Sequence, residues 1–574
     1  MNKVIPLLVA SSAFSLLVGC GGEKVTTADS APETKAASTD AGPVDAPEAE
    51  AAGDPASITG ADLAKHIAIL ASDEYEGRAP GTAGGDKTRT YIADEYKRIG
   101  LEPVNGSYFQ TVPMVETTLD PVVSSFAING EALEYKVDTV YWTKRVEEEV
   151  SFADTDMVFV GYGIVAPEYG WNDYDGIDVE GKTVVMLVND PGFATQDPEL
   201  FNGNAMTYYG RWTYKYEEAA RQGAAGALVI HDTVPAAYGW GVVEGGWSGP
   251  QLDLERADGG ANRAALEGWL SNDAARQLLT TAGLDLDELM AASKVNGFEP
   301  VAIEGARASA TLVSKIQRSE GANVLGILPG TEAPDEYVLY MAHWDHLGIN
   351  PTQAGDDKIF NGAVDNATGV AAIIEIAEAF ANADVKPRRS ILLAAVTAEE
   401  SGLLGSAYMA EEPPVPFKSI VGGINIDAIL PTPPTNDMIV VGYGASELED
   451  LLKIEATISG RTLSPDAEPE KGYFYRSDHI SFAKKGVPML YADSGQDFRE
   501  GGMSAGKAFG ADYVQSRYHK PADEFNGEWR FDGMTETVDI LYRTGATMAN
   551  SNQWPNWYEG NEFRALRDAQ MAEE

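Results

Sequence analysis

The chain has 574 residues and a formal net charge of −46, because 42 Lys and Arg stand against 88 Asp and Glu. Its length excludes a single small domain, and 44% hydrophobic against 23% charged residues exclude a fibrous or wholly disordered chain. Since a surface this acidic repels phosphate backbones, we expect no nucleic-acid partner.

The N-terminal segment resembles the signal of a bacterial lipoprotein. Residues 1–3 form a short basic start, residues 4–18 form an apolar run too short to span a bilayer, and Cys20 follows a small-residue cleavage site. Residues 1–20 are therefore predicted to be a signal peptide after which Cys20 carries lipid, the only membrane contact. A plain secretory signal is the alternative. We expect lipid anchoring in the bacterial cell envelope, at the outer membrane, with a periplasmic or extracellular catalytic domain.

The next segments are predicted to be a stalk and two helices. Residues 21–57 are rich in Ala, Pro, Ser, Thr and acids and contain no aromatic residue, a composition typical of a flexible linker. Thr59 is expected to cap a helix with apolar residues through position 70 on one face. A second helix is predicted over 85–99, closed by Gly100. The Gly-rich segment 76–88 lacks the Lys-Ser/Thr ending of a phosphate loop and is predicted to be a turn.

Residues 118–313 have a different texture, with aromatic and Gly-rich strands and few predicted helices. A strand at 182–190, a helix at 214–222 and a strand at 223–232 form the clearest unit. The sequences VGYGIVAPEYGWNDYDGIDVEGKTVV and KYEEAARQGAAGALVI resemble a protease-associated domain. The resemblance implies an inserted domain that shapes or covers a neighbouring site.

After residue 314, apolar strands alternate with helices. Strands are predicted at 323–330, 336–345, 390–400, 422–429, 438–444 and 487–493, and the best-defined helix at 368–382. This alternation predicts an α/β fold with a mainly parallel, mixed sheet flanked by helices and with functional groups at the carboxyl ends of the strands.

Acids and histidines follow these predicted strands. His343 ends a buried strand, and Asp345, on the same face, is expected to accept its imidazole N–H. Asp365 precedes the helix at 368, where it is either a capping acid or a ligand. Asp427 lies inside an apolar strand, where an unpaired acid is costly. His519 follows in YHKPAD, with Asp523 as its candidate partner.

Glu399 and Glu400 end another apolar strand. Neighbouring strand residues point to opposite faces, so a turn at residues 401–402 is needed for both to reach one site. One of them is expected to ligate a metal and the other to act as a base. Since Cys20 is the only cysteine, processing leaves no thiol for a disulfide or a metal. Five His, Asp and Glu ligands with one bridging carboxylate suit two ions about 3.5–4 Å apart.

Six segments resemble the di-zinc exopeptidase family that contains bacterial leucyl-type aminopeptidases and glutamate carboxypeptidase. They are AHWDHLG, NGAVDNATG, TAEESGLLGS, INIDAI, YRSDHISFAKKGVP and SRYHKPADEF. The resemblance covers about 58–117 and 314–560, which would be the two parts of a zinc-peptidase catalytic domain of the phosphorylase/hydrolase-like fold. The insertion would occupy 118–313 and a C-terminal tail 561–574.

The resemblance also implies the role of each residue. It makes Asp365 the bridge between two zinc ions and its peptide bond to Asn366 cis. The remaining assignments pair His343 and Asp427 with one zinc and Glu400 and His519 with the other, and give Glu399 as general base, Asp345 as the orienting acid and Tyr518 as the hydroxyl donor to the oxyanion.

Other histidines and arginines receive weaker assignments. His479, in SDH, competes with His519 for the last ligand position and is assigned a place behind the ligands. His66 and His346 match no role, and His231 is interpreted as a surface or core residue. Three further residues could border the substrate site, namely Arg78, Arg476 and Asp478. A structural role is at least as good an interpretation for each of them.

The sequence favours an aminopeptidase that cleaves N-terminal residues from peptides with a metal-activated water. A glutamate carboxypeptidase-like enzyme is the main rival; it would need a cationic patch for the substrate carboxylate, and Arg is scarce near the motifs. A one-zinc glutaminyl cyclase and a receptor-like protein without enzymatic activity are further alternatives. The sequence leaves the side-chain preference and the oligomeric state open.

Overall fold

The computed structural model describes residues 58–572. The predictions for the signal at 1–20 and the stalk at 21–57 lie outside the described residues. Across 58–572, no helix is both long and apolar enough to cross a membrane.

Two helices open the described chain, α1 (Gly60–Leu70) and α2 (Ala83–Ile99). The Thr59 hydroxyl accepts a hydrogen bond from the amide of Asp62, and Gly100 ends α2 in the left-handed region, with φ of 96°. Both helix boundaries were predicted from these capping residues, and the structure confirms them.

The Gly-rich turn is shorter than predicted, because its second half belongs to α2. A Cβ at Gly84 would lie 2.1 Å from the backbone oxygen of Tyr75, and one at Gly85 would lie 2.4 Å from that of Ala79. These glycines therefore allow the first turn of the helix to pack closely on the preceding chain.

Strands and short helices alternate over residues 102–292. Eight strands come first: β1 (Glu102–Pro103), β2 (Phe109–Leu119), β3 (Ser125–Ile128), β4 (Glu131–Ala132), β5 (Thr139–Trp142), β6 (Glu149–Phe159), β7 (Val165–Ala166) and β8 (Trp171–Asn172). There follow β9 (Thr183–Leu187), α3 (Pro191–Thr195), α4 (Trp212–Arg221), β10 (Gly226–Ile230), α5 (Thr233–Ala236), α6 (Trp240–Gly246), β11 (Pro250–Leu254), β12 (Leu266–Leu270), α7 (Asn272–Thr281) and α8 (Leu286–Ala292). The expectation of few helices in this region was wrong, because four of its six helices have seven residues or fewer and give little periodic signal.

The regular strand and helix alternation follows from residue 301. Its elements are β13 (Val301–Leu328), β14 (Ala333–His343), β15 (Gly348–Ile349), β16 (Ile359–Phe360), α9 (Thr368–Asn382), β17 (Arg389–Val396), α10 (Leu404–Glu411), β18 (Ile420–Asn425), β19 (Asp437–Val440), α11 (Leu448–Ile458), β20 (Thr462–Pro465), α12 (His479–Ala483), β21 (Met489–Ser494), α13 (Gly502–Ser516), α14 (Asp532–Asn550) and α15 (Arg564–Ala572).

The strands form two regions joined by β13. The site sheet has the order β11-β2-β13-β17-β14-β18-β21-β19-β20, and its four central strands, β17, β14, β18 and β21, are parallel. The insert sheet has the order β4-β3-β13-β6-β9-β10-β12-β5, with β6, β9, β10 and β12 parallel. The mainly parallel, mixed sheet flanked by helices agrees with the predicted α/β class.

Helices cover both faces of the site sheet. The core on one face includes Leu63 of α1, Ile373 of α9 and Leu541 of α14, and the core on the other includes Met409 of α10 and Phe482 of α12. Because both faces are covered, the polar chemistry of this sheet is confined to the strand ends.

Candidate metal centre

Three adjacent parallel strands deliver acidic or imidazole groups to one edge of the site sheet. His343 is the last residue of β14, Glu400 follows β17, and Asp427 follows β18. Strands β17 and β18 flank β14 in parallel register, so their carboxyl ends meet at one place. Asp365 enters from the segment before α9, and His519 follows α13.

Asp365 lies at the centre of this cluster. Its Oδ1 is 3.2 Å from Nε2 of His343, which is also 3.2 Å from Oδ1 of Asp427. Its Oδ2 is 3.1 Å from Nε2 of His519, which is 3.1 Å from Oε2 of Glu400. We call His343, Asp365 and Asp427 the first half-site and Asp365, Glu400 and His519 the second half-site. The structure thus brings together all five residues predicted as ligands.

The segment around Asp365 has the local structure that the resemblance implied. The Asp365–Asn366 peptide bond is cis, as predicted. Asn366 accepts hydrogen bonds from the amides of Gly369, in the first turn of α9, and Ala428. Asn366 therefore caps the helix, and the carboxylate of Asp365 remains free to face the histidines.

Glu399 and Glu400 reach one region through a tight turn. The amides of Gly402 and Leu403 both donate to the carbonyl of Glu399, at 2.9 Å, and Gly402 has φ of 109°. This turn at the end of β17 is the feature that the sequence required for two adjacent acids to serve one site.

Asp345 contacts different groups from those predicted. Nδ1 of His343 is 3.1 Å from the backbone carbonyl of Asp345 but 3.8 Å from its carboxylate. The carboxylate accepts hydrogen bonds from the amides of Glu399 and Glu400, at 3.0 and 3.4 Å. The expectation that the Asp345 carboxylate holds the imidazole was wrong, because these two buried amides take it as their acceptor.

Asp523 also has a different partner from the predicted one. Its carboxylate accepts hydrogen bonds from the amides of Val364 and Asp365 rather than from His519. Arg78, which is 1% exposed, supports the same loop by donating to the carbonyls of Trp344, Asn361 and Gly362, among others. The guanidinium thus serves a structural role, because its N–H groups donate to backbone carbonyls and are not directed at a substrate.

Burial and neighbouring charges shift the titration of the cluster. Burial lowers the pKa of His519, but hydrogen bonds to Asp365 and Glu400 outweigh it and raise the pKa to about 10. Burial, with Glu400 and Asp427, raises the pKa of Glu399 well above its ordinary value, although His343 opposes the shift. Burial also raises the pKa of Asp478 to about 7. So many buried carboxylates repel one another, and such a site favours a bound cation.

The donor set fits zinc. Imidazole nitrogen and carboxylate oxygen bind Zn²⁺ at about 2.0–2.2 Å, so two ligands of a tetrahedral ion lie about 3.3–3.6 Å apart. The nitrogen to oxygen distances of 3.1–3.2 Å in both half-sites are close to this spacing. The side chains of the cluster therefore have the composition and the separations of a zinc site.

The two residues of uncertain role, His479 and Tyr518, lie in different surroundings. His479 is fully buried beside Phe474 and Tyr491, and its ring nitrogens have no hydrogen-bond partner in residues 58–572. It stays behind the ligands, whereas His519 reaches them. Tyr518 is 43% exposed and stacks on His519, with ring centroids 3.9 Å apart, so its side chain lies at the rim of the cluster.

Two contacts to the ligands were not predicted. Ser477 donates to Oδ2 of Asp427 at 2.6 Å, and Nδ1 of His346 lies 2.6 Å from Oε1 of Glu400. The sequence signals were present, since His346 belongs to HWDH and Ser477 to SDH, but a contact between two side chains from different loops is not encoded in spacing.

The connection between β9 and β10, which includes α4, lies beside this site. The amide of Met206 donates to the carbonyl of Pro469, and Lys484 forms an ion pair with Glu217 at 2.8 Å. Residues 204–217 thus pack on 469–484, the stretch that contains Ser477. Residues 204–217 therefore lie beside one support of the first half-site.

Comparison with known proteins gives partial matches. Residues 323–539 match the model of peptidase family M28. A "Probable zinc metalloprotease" of Pyrenophora teres f. teres is 37% identical over 238 residues, 40% of this chain and 47% of that protein. "Aminopeptidase NAALADL1" of Rattus norvegicus is 34% identical over 122 residues, 20% of this chain and 15% of the relative. "Probable glutamate carboxypeptidase LAMP1" of Arabidopsis thaliana is 33% identical over 153 residues, which are 25% of this chain and 19% of that relative. The chain thus spans less than half of the length of each relative.

Proposed function

We propose that this chain, whose residues 323–539 belong to peptidase family M28, is a zinc-dependent exopeptidase that removes N-terminal residues from peptides. The observation that carries the proposal is the cluster of two imidazoles and three carboxylates centred on Asp365, with nitrogen-to-oxygen distances of 3.1–3.2 Å. The half-sites share one carboxylate, a geometry that suits two zinc ions per chain.

The chain's own groups divide the work of hydrolysis. The two half-sites would hold zinc, which when bound supplies Lewis acidity for the carbonyl and lowers the pKa of water. Glu399 accepts the proton of the attacking water and delivers it to the leaving amine. Tyr518, at the rim, donates its hydroxyl to the oxyanion. Asp345 holds the amides of Glu399 and Glu400 and so fixes the base relative to the ligand.

Electrostatics favours an amino terminus over a carboxylate as the recognised end of the peptide. Asp478 and Glu399 lie with the ligand carboxylates, and no lysine or arginine forms an ion pair with these acids in residues 58–572. Among these contacts, therefore, the site offers no side-chain cation to pair with a free carboxylate of the substrate.

A glutamate carboxypeptidase-like activity is the second candidate, because the guanidiniums of Arg211 and Arg476 are near enough for their charges to interact. Burial and the nearby Arg476 lower the pKa of Arg211 to about 10, and neither side chain forms a salt bridge within residues 58–572. Arg476 precedes Ser477, which contacts Asp427. A substrate carboxylate bound between these guanidiniums would be well paired.

A substrate panel separates the two candidates. The rates of hydrolysis of aminoacyl-anilides and of N-blocked dipeptides with a free carboxylate are compared for the zinc-loaded chain and for Arg476→Gln. An aminopeptidase cleaves only the first class and tolerates the substitution. Cleavage of the second class, lost in Arg476→Gln, would establish the carboxypeptidase instead, and pyroglutamate formation from N-terminal glutamine with one zinc per chain would indicate a cyclase.

Two further proposals concern the rest of the chain. Residues 118–313 serve as a protease-associated domain that shapes the substrate entrance, which the packing of 204–217 on 469–484 supports. Residues 1–20 direct the protein to lipid attachment at Cys20, and thereby to the outer membrane of the cell envelope, with the catalytic domain periplasmic or extracellular. Replacing Cys20 with Ala should move the protein from the membrane fraction to the soluble fraction, and retention in the membrane would contradict the anchor.

A further inference from the structure

His346 occupies a position beside the second half-site that its sequence did not reveal. Its side chain is fully buried, and its Nδ1 lies 2.6 Å from Oε1 of Glu400, an ion-pair contact in which neither atom has hydrogen-bond geometry with a partner in residues 58–572. The other oxygen of this carboxylate, Oε2, is 3.1 Å from Nε2 of His519. Two imidazoles therefore contact opposite oxygens of Glu400, with their ring centroids 5.8 Å apart.

The backbone fixes the imidazole of His346. A Cβ at Gly362 would lie 2.5 Å from Cγ of the ring, so the ring packs directly on the chain two residues before Val364. The amide of His346 donates to the carbonyl of Arg78 at 3.4 Å. Backbone thus bounds the ring on one side, and the carboxylate of Glu400 lies on the other.

Adjacent residues hold Glu400 at both ends. The carboxylate of Asp345 accepts a hydrogen bond from the amide of Glu400 at 3.4 Å, and His346 contacts its Oε1. With His343 in the first half-site, the short segment HWDH therefore supplies one ligand and two supports.

We propose that His346 is a positioning residue, whose imidazole holds Oε1 of Glu400 so that Oε2 faces Asp365 and His519. This inference rests on the proposed zinc-dependent function. Outer partners of a ligating carboxylate restrict its orientation, and their loss typically lowers metal affinity about 10–100-fold. Direct ligation by His346 is the rival, because its ligand atom and those of Asp365 and Glu400 all lie within 4.8 Å.

The test is a calorimetric titration of the metal-free full chain with Zn²⁺, repeated with Co²⁺ while its visible absorption is recorded. His346→Leu removes the nitrogen, and His346→Asn retains a donor near the position of Nδ1. We expect His346→Leu to lower the affinity for the zinc ion of the second half-site about 10–100-fold and to leave the affinity for the other ion within about twofold of the wild type. His346→Asn should restore most of the affinity, with a Co²⁺ spectrum like that of the wild type.

His66→Leu is the matched control, because His66 is another buried histidine paired with a glutamate, Glu375, at 3.0 Å. It should leave both metal affinities unchanged. Wild-type affinity for both ions in His346→Leu would overturn the proposal. Complete loss of the second ion, unrescued by Asn and with an altered Co²⁺ spectrum, would also overturn it by identifying His346 as a ligand. Failure of the wild-type chain to bind either ion would instead refute the proposed function.

Discussion

Glu399 and Glu400 are neighbours in sequence with different surroundings. Glu400 lies between His346 and His519, whereas the carboxylate of Glu399 forms no ion pair within residues 58–572. The two neighbours thus have the different surroundings expected of a ligand and of a base, a difference that spacing alone left open.

The substitution Glu399→Gln should nearly abolish turnover while zinc stays bound. The amide has almost the same shape but cannot accept the proton of water, and general acid–base assistance is typically about 10²–10⁴-fold. Glu400→Gln should instead weaken metal binding, because a ligand loses its charge. Rates and zinc content are measured on the same samples. The reverse pattern would mean that base and ligand have been exchanged.

His479 predicts a pH dependence of stability. Burial lowers its pKa to about 3, against about 6.5 in the unfolded chain. Between these values only the unfolded state binds the proton, so the free energy of unfolding falls as pH decreases below about 6.5, by up to about 1.4 kcal/mol per pH unit from this group. Urea unfolding of His479→Gln between pH 7 and 5 should show a smaller decrease. Equal slopes would mean that His479 does not contribute.

At the scale of single residues, the sequence singled out acids that are improbable in apolar surroundings. Asp427 was recognisable, because an apolar strand tolerates a carboxylate only with a partner, whereas the segment around Asp365 left it open as a cap or a ligand. The partners of Asp345 and Asp523 were not recognisable, because they are backbone amides of distant segments and have no sequence signature. The contact of His346 with Glu400 was missed because it joins side chains of two different loops.

The parallel strands and α9 were predictable because their signals are continuous. Helix 368–382 was predicted with the bounds that the structure shows, since a long apolar face repeats every turn. The extent of β13, Val301–Leu328, was not, because only residues 323–330 were apolar enough to be recognised. The short helices of the insertion were missed for the same reason.

Packing between α14 and β14 yields a test of the element that carries His343. A Cβ at Gly545 would lie 1.8 Å from the hydroxyl oxygen of Tyr340, whose side chain is fully buried. Gly545→Ala should therefore destabilise the fold by about 1–3 kcal/mol in urea unfolding.

The matched control is Gly510→Ala in α13, where a Cβ meets nothing within 4 Å. There we expect a gain of about 0.5–1 kcal/mol, because alanine costs less conformational entropy than glycine in a helix. Adding Tyr340→Phe to Gly545→Ala should recover part of the loss, since it removes the nearest atom. Equal effects at the two glycines would contradict the packing.

At the scale of the whole molecule, one sheet edge holds the candidate site. Strand β13 passes from the insert sheet into the site sheet, so the two regions share one continuous strand. The acidic surface, with a net charge of −46, adds a long-range preference for cationic substrate groups that salt weakens.

The composition of residues 21–57 predicts a tether rather than a part of the catalytic fold. Deleting this segment from a chain without its signal should leave turnover within about twofold, because the segment has no aromatic anchor to dock. The measurement compares kcat/KM of the two chains on one aminoacyl-anilide. A large loss of turnover in the shortened chain would show that the segment contributes to the site.

The central claim, that two half-sites around Asp365 hold the zinc on which peptide hydrolysis depends, is tested most directly by reconstitution. Zinc is removed from the chain with a chelator and returned in steps, and the rate of aminoacyl-anilide hydrolysis is measured with the zinc content of each sample. We predict no hydrolysis in the stripped chain and a full rate at two zinc ions per chain, with neither ion retained in Asp365→Ala. A full rate in the stripped chain, or zinc content and rate unchanged in Asp365→Ala, would contradict the account.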